Sequence, residues 1–192
     1  MKDILLTSVC NDEYIDGAKV MIYSMKKNIN NLDRCDFKIY YNDNVSPLSE
    51  ENKQSLKKII PNIIIEHVDN ECYLNSKIPY DRSEGSKAAY LTLESFNETE
   101  YNKVILFDVD MLCIGDISDL FDVDLQFGIF NRNTGFVVLG KSYRNQEIYD
   151  RLTSKIQSHN GDFMDQGIIN NVFLNDFQTI SRSYNQYPLS TK

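Results

Sequence analysis

The chain has no tryptophan, only two histidines, and four cysteines among its 192 residues. Cys10, Cys35, Cys72 and Cys113 form no C-x-x-C pair, and with so few histidines a structural zinc site is not expected. Cys10 and Cys113 lie within or beside apolar runs, which suits reduced, buried thiols. Positive charge is also scarce: 20 Lys and Arg stand against 28 Asp and Glu, a formal net charge of −8. That balance argues against a nucleic-acid partner, because a phosphate backbone needs a basic surface. An anionic ligand would need local help from a metal ion, a lysine or a helix N-terminus. No signal-peptide pattern and no membrane span is visible, so a reducing, cytoplasmic setting is the expectation. Internal repeats and low-complexity linkers are missing too, and residues 1–192 read as one domain.

What is present is ordinary for a soluble globular chain, with 42% hydrophobic and 25% charged residues. Apolar periodicity alternates between strand and helix. Ile4 to Val9 reads as a first strand, followed by a helix over 14–28 with Ala18, Met21, Ile22 and Met25 on one face. Residues 37–41 make a second strand. Ser46-Pro47 opens a helix with an acidic first turn, Glu50 and Glu51, and Pro61 ends it. Residues 63–68 form a third strand. A helix beginning near Ser86 turns Ala89, Tyr90, Leu93 and Phe96 inward. Beyond the run 104–107 the order loosens. Strands at 127–130 and 136–139 flank Asn131-Arg132-Asn133-Thr134-Gly135, a helix covers 143–157, and another starts near Asp165. The expected fold class is α/β, with a Rossmann-like parallel half and a mixed extension.

Asp108-Val109-Asp110 follows the apolar run Val104-Ile105-Leu106-Phe107. Two carboxylates thus sit at the C-terminal end of a buried strand, the edge where open α/β sheets bind ligands. Like charges this close repel unless a cation lies between them, and oxygen donors select Mg²⁺ or Mn²⁺. The alternative is a solvated acidic turn. Three further patterns accompany the motif. Asn11-Asp12-Glu13-Tyr14 follows the first strand, and Gly85-Ser86-Lys87 stands at a helix start. Asn133-Thr134-Gly135 precedes Gly161-Asp162-Phe163-Met164-Asp165-Gln166-Gly167.

In this order the patterns resemble the glycogenin-like glycosyltransferases, family eight of the sugar-nucleotide-dependent enzymes with the GT-A fold. The resemblance covers nearly the whole chain and is strongest over 103–122 and 162–170. It implies a central, mainly parallel mixed sheet flanked by helices. It also implies metal-dependent transfer of a hexose from a UDP-sugar to an unidentified carbohydrate or protein acceptor, with retention of configuration. By match, Val9, Cys10 and Asn11 would contact base or ribose and Tyr14 would stack on uracil. Lys87 would approach the phosphates or ribose. Asp108 would touch ribose and metal, with Val109 beside the nucleotide and Asp110 on the metal, Mn²⁺ or Mg²⁺. Asn133, Thr134 and Asp162 would hold the donor sugar, and Asp165 and Gln166 would border its anomeric carbon. Each has a structural alternative: Tyr14 packed on the core, Asn11 and Asp12 as helix caps, Lys87 facing solvent, and Asp162 capping a helix whose first turn carries Asp165.

One departure from the family pattern stands out. A C-terminal His-x-x-Gly-x-x-Lys-Pro-Trp-like segment, which supplies a third metal ligand and a phosphate-binding lysine, has no counterpart. The chain has no histidine after His159 and ends shortly after Tyr184-Asn185-Gln186-Tyr187-Pro188, which resembles the preceding segment. Either the chain is truncated or the metal shell is completed differently. Two rival readings follow: a UDP-sugar-binding domain impaired in catalysis, and a haloacid-dehalogenase-like phosphatase, whose Asp-x-Asp normally lies near the chain start. A homodimer is left open.

Overall fold

The computed structural model describes residues 3–174 and 176–186. Among them, seven strands form one sheet in the order β3-β2-β1-β4-β6-β5-β7. These are β1 (Ile4–Val9), β2 (Cys35–Tyr41), β3 (Ile64–His67), β4 (Lys103–Phe107), β5 (Phe127–Phe130), β6 (Asn133–Gly140) and β7 (Gln178–Thr179). Strands β3, β2, β1 and β4 run parallel, while β6 is antiparallel to both β4 and β5. This is the expected parallel half with a mixed extension.

The helices are α1 (Ile15–Asn28), α2 (Glu50–Ile59), α3 (Gln146–Thr153) and α4 (Met164–Phe173). The segment Glu84–Asn97 forms a long helix of 3₁₀ type. Alternation along β1 separates two cores. Ile4 and Leu6 join Met21, Ile22 and Leu56 on the face covered by α1 and α2. Leu5 and Val9 join Tyr90, Leu93, Phe96, Leu152 and Ile168 on the other. Both faces of the central strands are covered, which is why they read as unbroken apolar runs.

Local chemistry sets the ends of these elements. The Asn11 side chain accepts the Tyr14 N–H at 3.1 Å, and Asn145 does the same for Ile148 at 2.9 Å. The helix expected over 143–157 is shorter, because Asn145 caps it and Tyr143 belongs to the preceding turn. The loop expected at Asn131–Gly135 contracts to Asn131 and Arg132, both with positive φ (49° and 59°). Such a two-residue turn matches strand twist, and it brings Asn133 and Thr134 onto β6.

Candidate active site

The strand order places a topological switch point between β1 and β4. From β1 the chain moves outward to β2 and β3, then returns to β4 on the other side of β1. Helices on opposite faces diverge there and leave a crevice beyond the strand ends. Val9 ends β1 and Asp108 follows β4, and the Ser8 hydroxyl donates to the Phe107 carbonyl at 2.6 Å, tying the two ends together.

Two cavities open at this edge. One, of about 220 Å³, is lined by Val9, Asn11, Tyr14, Asp108, Val109 and Asp110 among others. The second, of about 530 Å³, is lined by Asp108, Asn133, Thr134, Asp162, Asp165 and Gln166 among others. Most of the residues expected from sequence around a nucleotide, Cys10 and Lys87 excepted, and those expected around a sugar line two adjoining spaces. Asp108 belongs to both, as do Arg82, Ala89 and Met164.

The individual side chains separate the alternatives. Tyr14 is 44% exposed and lines the smaller cavity, so it does not pack into the core. Asn11 is buried and caps the turn at 12–14, so it serves structure while facing the cavity. Asp12 accepts from Ser49 N, Ser49 Oγ and Asn52 Nδ2 at 2.9, 3.1 and 2.8 Å, which clips the first loop to the start of α2. Cys10 is buried; burial pushes its thiol up to about 12, and the thiol donates to the Asn11 carbonyl at 3.3 Å. It lines neither cavity, so its side chain packs beneath the loop.

Lys87 also lies outside both spaces. It pairs with Glu84 at 2.7 Å, donates to the Leu74 carbonyl at 3.2 Å, and lines a separate 300 Å³ cavity with Asn11, Asp12 and Glu13. The structure does not bring it to Asp108.

Asp162 is exposed and does not cap α4: the helix starts at Met164, after Phe163 in the left-handed conformation (φ 57°), and no side chain caps it. The helix-cap alternative for Asp162 therefore fails. Its one described side-chain partner is Asn160 Nδ2 at 2.8 Å. Asp165 is buried, and its Oδ2 accepts from Thr92 Oγ1 at 3.0 Å and Thr134 Oγ1 at 3.3 Å. Burial first, then the charge of Asp108, pushes its carboxyl up to about 7. Gln166 Oε1 accepts the Thr134 N–H at 3.2 Å, linking α4 to β6. Asn133 Oδ1 accepts from Gly135 N at 2.9 Å and from Asn185 Nδ2 at 2.7 Å.

Asp108 is exposed and lines both cavities; loss of water around it and then the charge of Asp110 raise its carboxyl to about 6. Among the described residues, no side chain donates to either carboxylate. Two hard oxygen donors facing a cleft, with no side chain paired to them among the described residues, suit Mg²⁺ or Mn²⁺. Among the described residues no three His, Cys, Asp or Glu side chains converge to hold a metal ion. His159 Nδ1 accepts the Gly161 N–H at 3.0 Å and so braces the acidic loop.

Sequence reasoning missed Arg82 and Thr92. Thr92 meets Asp165 across 73 residues, and no local pattern announces such a pair. Arg82 sits between a turn and a helix start without any motif around it. Glycines complete the site's construction. A Cβ on Gly17 would lie 2.9 Å from the Val109 carbonyl oxygen, so α1 packs directly on the backbone of the acidic motif. A Cβ on Gly135 would lie 2.9 Å from Asp108 Oδ2.

A doubly covered sheet with an acidic motif at its switch point defines a doubly wound α/β class of protein, in which ligands bind at that crevice. Comparison with known proteins identifies the family. The profile "Glycosyl transferase family 8" matches residues 5–132, and the chain belongs to that family. The chain is 23% identical over 197 residues to glycogenin of Neurospora crassa, covering 97% of itself and 27% of that relative. It thus spans about a quarter of the curated relative's length. Among solved structures it resembles the galactosyltransferase LgtC determined with donor and acceptor sugar analogues, with a TM-score of 0.73 at 16% identity, covering 93% of this chain and 73% of that one. It also resembles the bifunctional glycosyltransferase WbbM, with a TM-score of 0.71 at 18% identity over 94% of this chain and 39% of that one. At such identities the likeness concerns the fold, which is GT-A. No helix among the described residues is long and apolar enough to cross a membrane.

Proposed function

We propose that the chain transfers a hexose from a UDP-sugar donor to a carbohydrate or protein acceptor, with retention of configuration and with Mn²⁺ or Mg²⁺ held by Asp108 and Asp110. The observation that carries this reading is the pair of cavities joined at Asp108, one with an aromatic wall and one ringed by hydrogen-bonding side chains. A nucleotide sugar has the same division: a flat base and ribose, then a diphosphate, then a polyol.

In this reading Tyr14 stacks on uracil, and Val9, Asn11 and Val109 line the nucleoside space. Asp162 accepts hydrogen bonds from sugar hydroxyls, beside Asn133 and Thr134. Asp165 and Gln166 border the anomeric carbon, where Asp165 stabilises the positive charge that develops as the glycosidic bond breaks. A divalent ion, when bound, would neutralise charge on the departing diphosphate. The thiol of Cys10 and the ammonium of Lys87 drop out of direct donor contact, since neither reaches the joined cavities.

Donor screening by thermal shift tests the reading. UDP, UDP-glucose, UDP-galactose and UDP-N-acetylglucosamine would be compared with and without Mn²⁺. One UDP-sugar should raise Tm selectively and only with the ion, because a ligand stabilises the folded state in proportion to its affinity. No shift with any uridine nucleotide would remove the proposal. The second reading, a UDP-sugar-binding domain without turnover, is favoured by one observation: among the described residues no third His, Cys, Asp or Glu side chain joins Asp108 and Asp110 to hold an ion. Selective binding without hydrolysis or transfer at any Mn²⁺ concentration would select it. The acidic motif on a fourth strand, in a chain of family 8, leaves the phosphatase reading without support.

A further inference from the structure

The two cavities are strongly acidic. Asp81, Asp108, Asp110, Asp162 and Asp165 line one or both. Arg82 is the one cation lining either space among the described residues, and it lines both. Its guanidinium has no hydrogen-bond or ion-pair partner among the described residues. Other arginines are engaged. Arg34 pairs with Asp3 and Asp122 at 2.7 Å each, and Arg144 donates to the carbonyls of Gly140, Tyr101 and Asn102 at 3.1, 2.7 and 3.0 Å. Arg82 therefore has its full donor capacity available, and its charge adjoins the densest negative charge of the site.

Position decides which part of a ligand this cation would meet. In a nucleotide sugar the diphosphate lies between nucleoside and sugar. The residues common to both cavities, Arg82, Ala89, Asp108 and Met164, lie where that linkage must cross. Asp108 is one of the two carboxylates that would hold a divalent ion. Lys87, the lysine expected to serve the phosphates, is tied to Glu84 and turned into another cavity. A planar guanidinium suits phosphate oxygens because it can donate two parallel hydrogen bonds.

We propose that Arg82 is the protein's diphosphate-binding cation, seating the donor at the junction of the two cavities. This rests on the nucleotide-sugar reading above. The side chain also joins the charge balance of the site: a diphosphate beside several carboxylates needs more positive charge than one divalent ion supplies.

The test is calorimetry of UDP at saturating Mn²⁺ on the wild-type chain, Arg82→Ala and Lys58→Ala. Lys58 is exposed on α2, lines neither cavity, and controls for the loss of one positive charge. Arg82→Ala should weaken UDP binding about tenfold to a hundredfold, the loss expected for hydrogen bonds to a charged group. Its ligand-free Tm should match the wild type, since no described contact is removed. Lys58→Ala should bind UDP within about twofold of wild type, as expected for a distant, screened charge. If wild type binds UDP and Arg82→Ala binds equally well, the assignment of Arg82 is overturned while the nucleotide reading stands. Equal weakening in both variants would also overturn it, pointing to overall charge, and so would a large fall in ligand-free Tm. A wild-type chain that binds no UDP removes the nucleotide reading and this inference with it.

Discussion

Asp165 shows how a single buried carboxyl can cost stability. Its carboxyl is pushed up to about 7 by burial and by Asp108, so near-neutral pH forces a charge where the fold resists one. A carboxyl whose folded pKa lies above its unfolded value adds stability fully present below the unfolded pKa of about 3.9 and lost as pH rises through the folded one. Asp165→Asn should therefore raise the Tm of the metal-free protein above pH 7. Near pH 4 the difference should vanish. The amide oxygen of the variant can still accept from Thr92 and Thr134. A rise of about 2–4 °C per kcal/mol is the scale for a chain of this size. Scanning calorimetry at pH 5 and pH 8.5 measures it, and an equal or lower Tm at pH 8.5 would refute the electrostatic account. Asp162 contrasts with it: exposed, off the helix cap, and bonded only to Asn160 among described side chains. Asp162→Ala should leave Tm unchanged and weaken UDP-sugar binding by roughly 1.5–3 kcal/mol, about one to two decades, while UDP binding changes little. Equal losses for both ligands would take Asp162 out of the sugar space.

At the scale of elements, α1 positions the acidic motif by direct contact. Gly17 lets its backbone reach the Val109 carbonyl. Replacing a helical glycine by alanine ordinarily stabilises by roughly 1 kcal/mol. Here the new methyl would meet backbone at 2.9 Å and shift residues 108–110. Gly17→Ala should give no rise in Tm and should lower UDP affinity in Mn²⁺. A variant that is more stable and binds UDP normally would show that the contact does not set the motif. The elements themselves were largely legible. Strands β1 and β4 are buried on both faces and read as apolar runs, and α1 shows its inward stripe. The tight turn at Asn131-Arg132 was not legible, because an arginine with positive φ carries no local signal. The segment at Glu84–Asn97 read as an ordinary helix, since its apolar spacing does not distinguish 3₁₀ from α hydrogen bonding. The start of α4 near Asp165 was legible, but its left-handed entry at Phe163 was not, and the alternative of an Asp162 cap does not hold.

At the scale of the whole molecule, the switch point between β1 and β4 brings together residues from five separate segments. Asn11, Asp108, Thr134 and Asp165 were legible because each sits in a short motif of chemically committed residues. Arg82 and Thr92 were not, because their roles exist only after folding joins distant segments. Lys87, expected near the phosphates or ribose, pairs with Glu84 and lines a neighbouring cavity that shares Asn11 with the smaller one. The part of the family pattern involving Tyr187 and Pro188 lies outside the described residues. The central claim is that the joined cavities bind a uridine diphosphate through a divalent ion on Asp108 and Asp110. Calorimetric titration of UDP into the wild-type chain, with Mn²⁺ and then with excess chelator, tests it most directly. The account predicts measurable binding with Mn²⁺ that is lost with chelator, and the same loss in Asp110→Asn at unchanged Tm. Equal UDP affinity with and without the ion would contradict it.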